Sequence, residues 1–227
     1  FRQPRSPGTR SGYHPPMAPH RTPELTGVHL VGERVELVPV RPAHAAPLFP
    51  KVHRRPEVVD MLVWNGPETV AELEQGYAAW LSGDVGARNY HLAILPACGG
   101  EVMGTCGARF SLRPGWANLG YWLGSDHWGR GFMTEAVRLL TWLSFEHLGA
   151  EGVEALCLKH NVGSQRVLER AGLVRDPGHA PDEGLHDRHH APEGMELCEL
   201  RYELSRADWA PADGLPVRAE VQLPPSS

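Results

Sequence analysis

The chain is 227 residues long, which is room for one substantial hydrophobic core and requires no second domain. Its 22 Lys and Arg against 27 Asp and Glu leave a formal net charge of −5 with no basic run, so charge does not suggest a nucleic-acid partner. No apolar run approaches the roughly 20 residues that span a bilayer, and none reads as a signal-peptide core, so no membrane partner is expected.

Residues 1–26 are rich in Pro, Arg and His without an apolar period and read as an irregular arm. Met17-Ala18-Pro19 would make a plausible start, which would leave the first sixteen residues as upstream sequence. Val28 to Val40 reads as one strand, with Val35, Leu37 and Pro39 alternating against Glu36 and Val38. Ala43 to Val52 and Pro56 to Leu62 read as short helices. Glu68 to Leu81 is a clearer one, with Val70, Leu73, Tyr77, Trp80 and Leu81 on one face and Gly83 past its end. Asn89 to Leu95 and Val102 to Ser111 read as strands joined by the turn residues 96–100, the start of an antiparallel meander.

Leu119-Gly120-Tyr121-Trp122-Leu123 is an uncharged strand buried on both faces, broken at Gly124, Ser125 and Asp126. Trp128-Gly129-Arg130-Gly131 then leads into an apolar helix from Met133 to Leu148. Met133, Ala136, Val137, Leu140 and Leu143 form one stripe, Phe132, Leu139, Trp142 and Phe145 a second, and Gly149 ends the helix. A strand, a glycine turn and a helix start can converge backbone N–H groups on an anion. Two glycines can also simply tighten such a turn. The stretch lacks the GK[ST] ending of a P-loop and the third glycine of a dinucleotide fingerprint.

Residues 153–158 form the next strand, parallel to 118–123 because a helix crosses between them. Ser164 to Ala171 is a short helix stopped by Gly172, and Met195 to Leu204 a late strand. Between them lies a loop with His179, Asp182, His186, Asp187, His189 and His190, readable as a metal site or as a solvated loop without helical register. Cys98, Cys106, Cys157 and Cys198 form no CxxC pair, and all but Cys98 fall in predicted strands. Free buried thiols in a reducing cytoplasm are therefore expected rather than disulfides or zinc ligands. Residues 210–227 read as a Pro-rich tail, either loose or a strand added to a neighbour, which leaves a homodimer edge open.

The motifs GYWL at 120–123, WGRG at 128–131 and N..S..VLERAGL at 161–173, with their spacing, resemble the GNAT superfamily of N-acyltransferases, RimJ/RimL type, from about Arg34 to Trp209. The resemblance implies an α/β (α+β) fold over residues 27–209, with a mixed, mostly antiparallel sheet of about six to seven strands flanked by helices and a splayed parallel pair at the cofactor site. It implies acetyl-CoA as acyl donor and no metal. The pyrophosphate would bind N–H groups of the turn and helix start: Trp128, Gly129, Arg130, Gly131, Phe132, Met133 and Thr134. Pantetheine would lie along Trp122, Leu123 and Gly124 with Asn161 bonding it. The Leu123 N–H would face the developing oxyanion, and Ser164 would protonate the thiolate. Asn161 and Ser164 also suit plain helix capping. Helices of this kind border the family's acceptor groove, so Trp64, Tyr77 and Trp80 read either as groove or as core.

The general base is not assigned. Asn118 stands where family members often carry an acid, and Asp126 makes the turn less cationic; Glu135, His189 and His190 remain candidates. An α-amine, with a pKa of about 7.7 to 8.0, needs little help to lose its proton, whereas a lysine amine needs about 4 kcal/mol. The expected acceptor is thus a primary amine, a peptide N-terminus or a small molecule, attacking directly in a ternary complex, since no nucleophile with triad-like spacing appears. The acyl group could also be another, such as succinyl. A non-catalytic CoA-binding module is the alternative.

Overall fold

The computed structural model describes residues 27–62, 66–82, 89–110, 113–179, 198–210 and 216–222. Trp64, the arm at 1–26 and loop residues Asp182, His186, Asp187, His189 and His190 lie outside these.

The first segment is two strands and not one: β1 (Gly27–Val31) and β2 (Val35–Pro39) form an antiparallel hairpin. The reversal comes at Gly32, whose N–H bonds the Val35 carbonyl at 2.8 Å. A glycine inside a strand pattern is a turn signal, and alternation alone hides it. A 3₁₀ turn, Pro42–His44, opens α1 (Ala45–Val52), followed by α2 (Pro56–Val59), a single turn shorter than the sequence suggests. The next helix, α3 (Val70–Ser82), is started by Thr69, whose Oγ1 accepts the Glu72 N–H at 3.2 Å while the Glu72 carboxylate accepts the Glu68 N–H at 2.9 Å.

The meander β3 (Asn89–Pro96), β4 (Gly104–Arg109) and β5 (Trp116–Leu123) is antiparallel as expected. Helix α4 (Phe132–Glu146) crosses to β6 (Gly152–Leu158), which pairs parallel with β5. Then come α5 (Val162–Arg170), a two-residue β7 (Val174–Arg175), β8 (Glu199–Ser205) and β9 (Arg218–Gln222). The described strands form one sheet in the order β7-β8-β6-β5-β4-β3-β2-β1-β9. The nine strands exceed the six or seven expected because the first strand divides and because β7 and β9 join the edges. Residues 218–222, within the stretch read as a loose tail or a neighbour's strand, pair with the chain's own β1 along its full length.

Two apolar layers cover the sheet. On one face Leu30, Leu37, Leu92, Leu119 and Val153 pack against Ala136, Val137, Leu140 and Leu143 of α4, the stripe legible in the sequence. On the other, Leu48 and Val52 of α1 and Leu73 and Tyr77 of α3 cover Ala93 and Trp122. Each large side chain so buried contributes roughly 1.5–3 kcal/mol. All four cysteines are free; Cys106 and Cys157 are buried and Cys198 half-buried, but Cys98, in the β3–β4 turn, is exposed, contrary to expectation.

Candidate active site

Strands β5 and β6 pair at three positions, Trp116 with Gly152, Ala117 with Val153 and Asn118 with Glu154, and then part. Each continues, held by its other neighbour: Leu123 opposite Gly104 of β4, and Leu158 opposite Glu199 of β8. The result is a V with two unpaired backbone edges facing inward. A cavity of about 650 Å³ fills it, lined by Tyr121, Trp122 and Leu123 on one wall, Asn161 and Ser164 on the other, and Met61 and Leu62 across the mouth.

The open end of the V is the glycine turn. Gly129 and Gly131 take φ of +72° and +81°, a region that L side chains avoid, and Gly131 is the residue before the first turn of α4. The first N–H groups of a helix have no intrahelical partner, so those of Phe132, Met133 and Thr134 are directed to this end. A Cβ on Gly129 would meet nothing within 4 Å, so the groove beside the turn is open. The turn is pinned from several sides. Trp128 Nε1 donates to the Leu123 carbonyl at 2.8 Å, Ser125 Oγ to Glu57 at 2.9 Å, and Arg34 Nη1 to the Arg130 carbonyl at 3.0 Å. Asp126 faces Arg55 at 3.4 Å, so its charge is met locally. Arg166 and Arg170 line the cavity from α5. Donors in an open groove with cations on the wall suit a polyphosphate.

Along β5 the available donors are fewer than expected. The Gly124 N–H already bonds the Met103 carbonyl at 2.9 Å, which removes Gly124 from the free edge. In an antiparallel ladder the direction alternates, so Trp122 also faces β4, and the Leu123 and Tyr121 N–H groups face the cavity. Asn161 caps α5, its Oδ1 accepting the Ser164 N–H at 2.9 Å, and its amide donates to the Met61 carbonyl at 3.2 Å. The capping reading is thus met, and the residue still stands in the cavity wall.

Ser164 Oγ lies 2.8 Å from the Tyr121 hydroxyl. Burial pushes the Tyr121 phenol well above its ordinary range, so the pair stays protonated near neutrality. The sequence reading missed Tyr121; its place in the motif strand was visible, but a partner 43 residues away was not. Burial likewise pushes the Cys157 thiol up to about 11, which makes it a poor nucleophile.

Glu135 is not a free base. Its carboxylate accepts the N–H groups of Glu33 at 2.6 Å and Arg34 at 3.0 Å, tying the β1–β2 turn to α4. Tyr77 is fully buried core, and Trp80 stacks on His91 with ring centroids 3.9 Å apart. His189 and His190 lie outside the described residues. Among the described residues the Asn118 Nδ2 is buried without a hydrogen-bond partner.

Residues 34–174 match the acetyltransferase (GNAT) domain family. The Bacillus subtilis (strain 168) probable N-acetyltransferase YjcK is 38% identical over 89 residues, covering 38% of this chain and 49% of that protein. The chain thus spans about half the length of that relative. An Aspergillus fumigatus FsC-acetyl coenzyme A-N(2)-transacetylase is 26% identical over 185 residues, 78% of this chain and 75% of that one. A crystal structure of a GCN5-related N-acetyltransferase from Brucella melitensis superposes with a TM-score of 0.64 at 22% identity, covering 86% of this chain and 85% of the other, a likeness of fold. With its motifs, its splayed β5–β6 pair and more than half its length matched, the chain belongs to the GNAT acetyltransferase domain family.

Proposed function

We propose that this chain is an N-acetyltransferase of the RimJ/RimL type that moves an acetyl group from acetyl-CoA to a primary amine by direct attack in a ternary complex. The observation that carries this reading is the V between β5 and β6, opening onto the glycine turn at the start of α4. Bound there, acetyl-CoA supplies an activated acyl group on a thioester. The N–H groups from Gly129 to Thr134 hold its pyrophosphate, with Arg166 and Arg170 beside them. The inward Tyr121 and Leu123 edge takes the pantetheine amides as an added strand would, and the Leu123 N–H stabilises the oxyanion. Ser164, bonded to Tyr121, delivers a proton to the leaving sulfur. The name of the Aspergillus relative supports acetyl coenzyme A as donor.

The test is thiol release from acetyl-CoA in the presence of a panel of peptides and small amines. Turnover is expected, and Ser164→Ala should lower kcat by about 10- to 100-fold with little change in KM for acetyl-CoA. Acetyl-CoA binding without thiol release from any amine would favour the non-catalytic module.

A further inference from the structure

The acyltransfer reading leaves the acceptor's proton without a destination, since Asn118 occupies the expected acid position and Glu135 is engaged elsewhere. Strand register supplies one. Asn89, Arg109, Asn118, Glu154 and Glu203 form a single row across β3, β4, β5, β6 and β8. Registered neighbours point to the same side of a sheet. Four residues further along β3, Ala93 aligns with Thr105, which aligns with Trp122, and that row packs under α1 and α3. The Glu154 side chain therefore lies on the α1/α3 side, opposite the α4 layer that takes Val153 and Ala155.

Between these two rows runs a third, His91, Gly107 and Gly120. Gly107 is buried and the His91 ring closes over it, so the row is open only at the exposed Gly120. At Gly120 an added Cβ would meet nothing within 4 Å. Beyond Gly107 lies the His91–Trp80 stack; burial lowers His91 to about 4, so that wall is neutral at physiological pH.

Glu154 is 5% exposed, and its carboxylate has no hydrogen-bond donor among the described residues. The charged groups around it are largely matched to others. Glu203 bonds Arg113 at 3.0 Å, and Arg201, whose charge Glu154 feels, bonds Asp176 at 3.0 Å through Nε. Arg109, two strands from Glu154 across Asn118, is exposed. A buried carboxylate with no donor is costly unless a cation meets it. Glu154 also stands at the last paired position of β5 and β6, the apex of the V. We propose that Glu154 draws in the acceptor's ammonium and takes its proton through water, and that the acceptor enters over the bare backbone at Gly120. The fitting acceptor is a primary amine on a slender stem.

This assignment rests on the acyltransfer reading. In the step, the ammonium gives one proton through water to Glu154 and the nitrogen lone pair forms the C–N bond as the thioester C–S bond breaks. The thiolate leaves with a proton from the Ser164–Tyr121 pair, and the second nitrogen proton restores that pair. Glu154 returns its proton to solvent, so each turnover yields one amide, one free thiol and one proton.

The test uses the full chain, acetyl-CoA and the amine that the parent turns over best, across about pH 6.5 to 9.5. Glu154→Gln should leave acetyl-CoA affinity unchanged by calorimetry and lower kcat by about 10²- to 10⁴-fold near neutrality. That loss should shrink as pH rises and solvent itself takes the amine's proton, a recovery that a merely structural defect would not show. Glu154→Asp should retain part of the activity. Gly120→Val, a side chain suited to a strand and placed in open space, should raise KM for the amine at least about tenfold with acetyl-CoA affinity intact. The assignment is overturned if Glu154→Gln turns over within about threefold of the parent, if its loss is the same at every pH, or if Gly120→Val leaves KM unchanged. A parent chain that turns over no amine overturns the acyltransfer reading itself, and this assignment with it.

Discussion

A serine hydroxyl alone is a weak acid, and in the proposed reaction the proton that Ser164 passes on is resupplied by the phenol 2.8 Å away, itself kept protonated by burial. Histidines on the opposite face of the sheet are governed by the same force with the opposite outcome for charge. Burial first, and Arg109 second, lower His91 to about 4, and burial lowers His53 to about 4. Between pH 6.5 and about 4 the unfolded chain therefore binds protons that the folded chain refuses, so stability falls as pH falls through that window. For His91 the loss amounts to at most about 3 kcal/mol. Urea unfolding at pH 7 and pH 4.5 is expected to show a lower midpoint in acid. His91→Phe, which keeps an aromatic ring against Trp80, should flatten that dependence. An unchanged slope in the variant would mean that other groups govern the acid limb.

Elements carry the sharpest contrast between what the sequence displays and what it conceals. The strand–turn–helix unit from Trp116 to Glu146 and the start of α5 were legible, because each is specified locally by apolar period, glycine positions and a capping side chain. Asn161 tests how far local specification goes. Asn161→Ala should cost about 1 kcal/mol in stability as the cap is lost. Asn161→Asp caps equally well but donates nothing, so it should restore stability while weakening acetyl-CoA binding several-fold; equal affinity in the Asp variant would reduce Asn161 to a cap. The engagement of Glu135 was not legible, since its partners Glu33 and Arg34 are about a hundred residues away in sequence. The same holds for the loss of Gly124 as a donor, which depends on the β4–β5 register, and for the Glu154 row, which needs five strands aligned at once.

At the scale of the whole molecule, the sheet must be covered on both faces and defended at both edges. Strand β9 closes the β1 edge over five register positions and presents Arg218 and Glu220 outward, charges that discourage further strand addition. Removing residues 211–227 should lower the melting temperature and produce concentration-dependent self-association by light scattering; a monomeric, equally stable truncation would show that β9 contributes nothing. The central claim is that the V of β5 and β6, with the glycine turn at its mouth, is an acyl-CoA site. The most direct test is calorimetric titration of acetyl-CoA into the parent chain and into Gly129→Val, where the added side chain enters open groove and also strains the turn, since L residues avoid its φ of +72°. Binding to the parent that weakens at least about a hundredfold in a variant that remains folded is the expected result. Equal binding by both, or none by the parent, would contradict it.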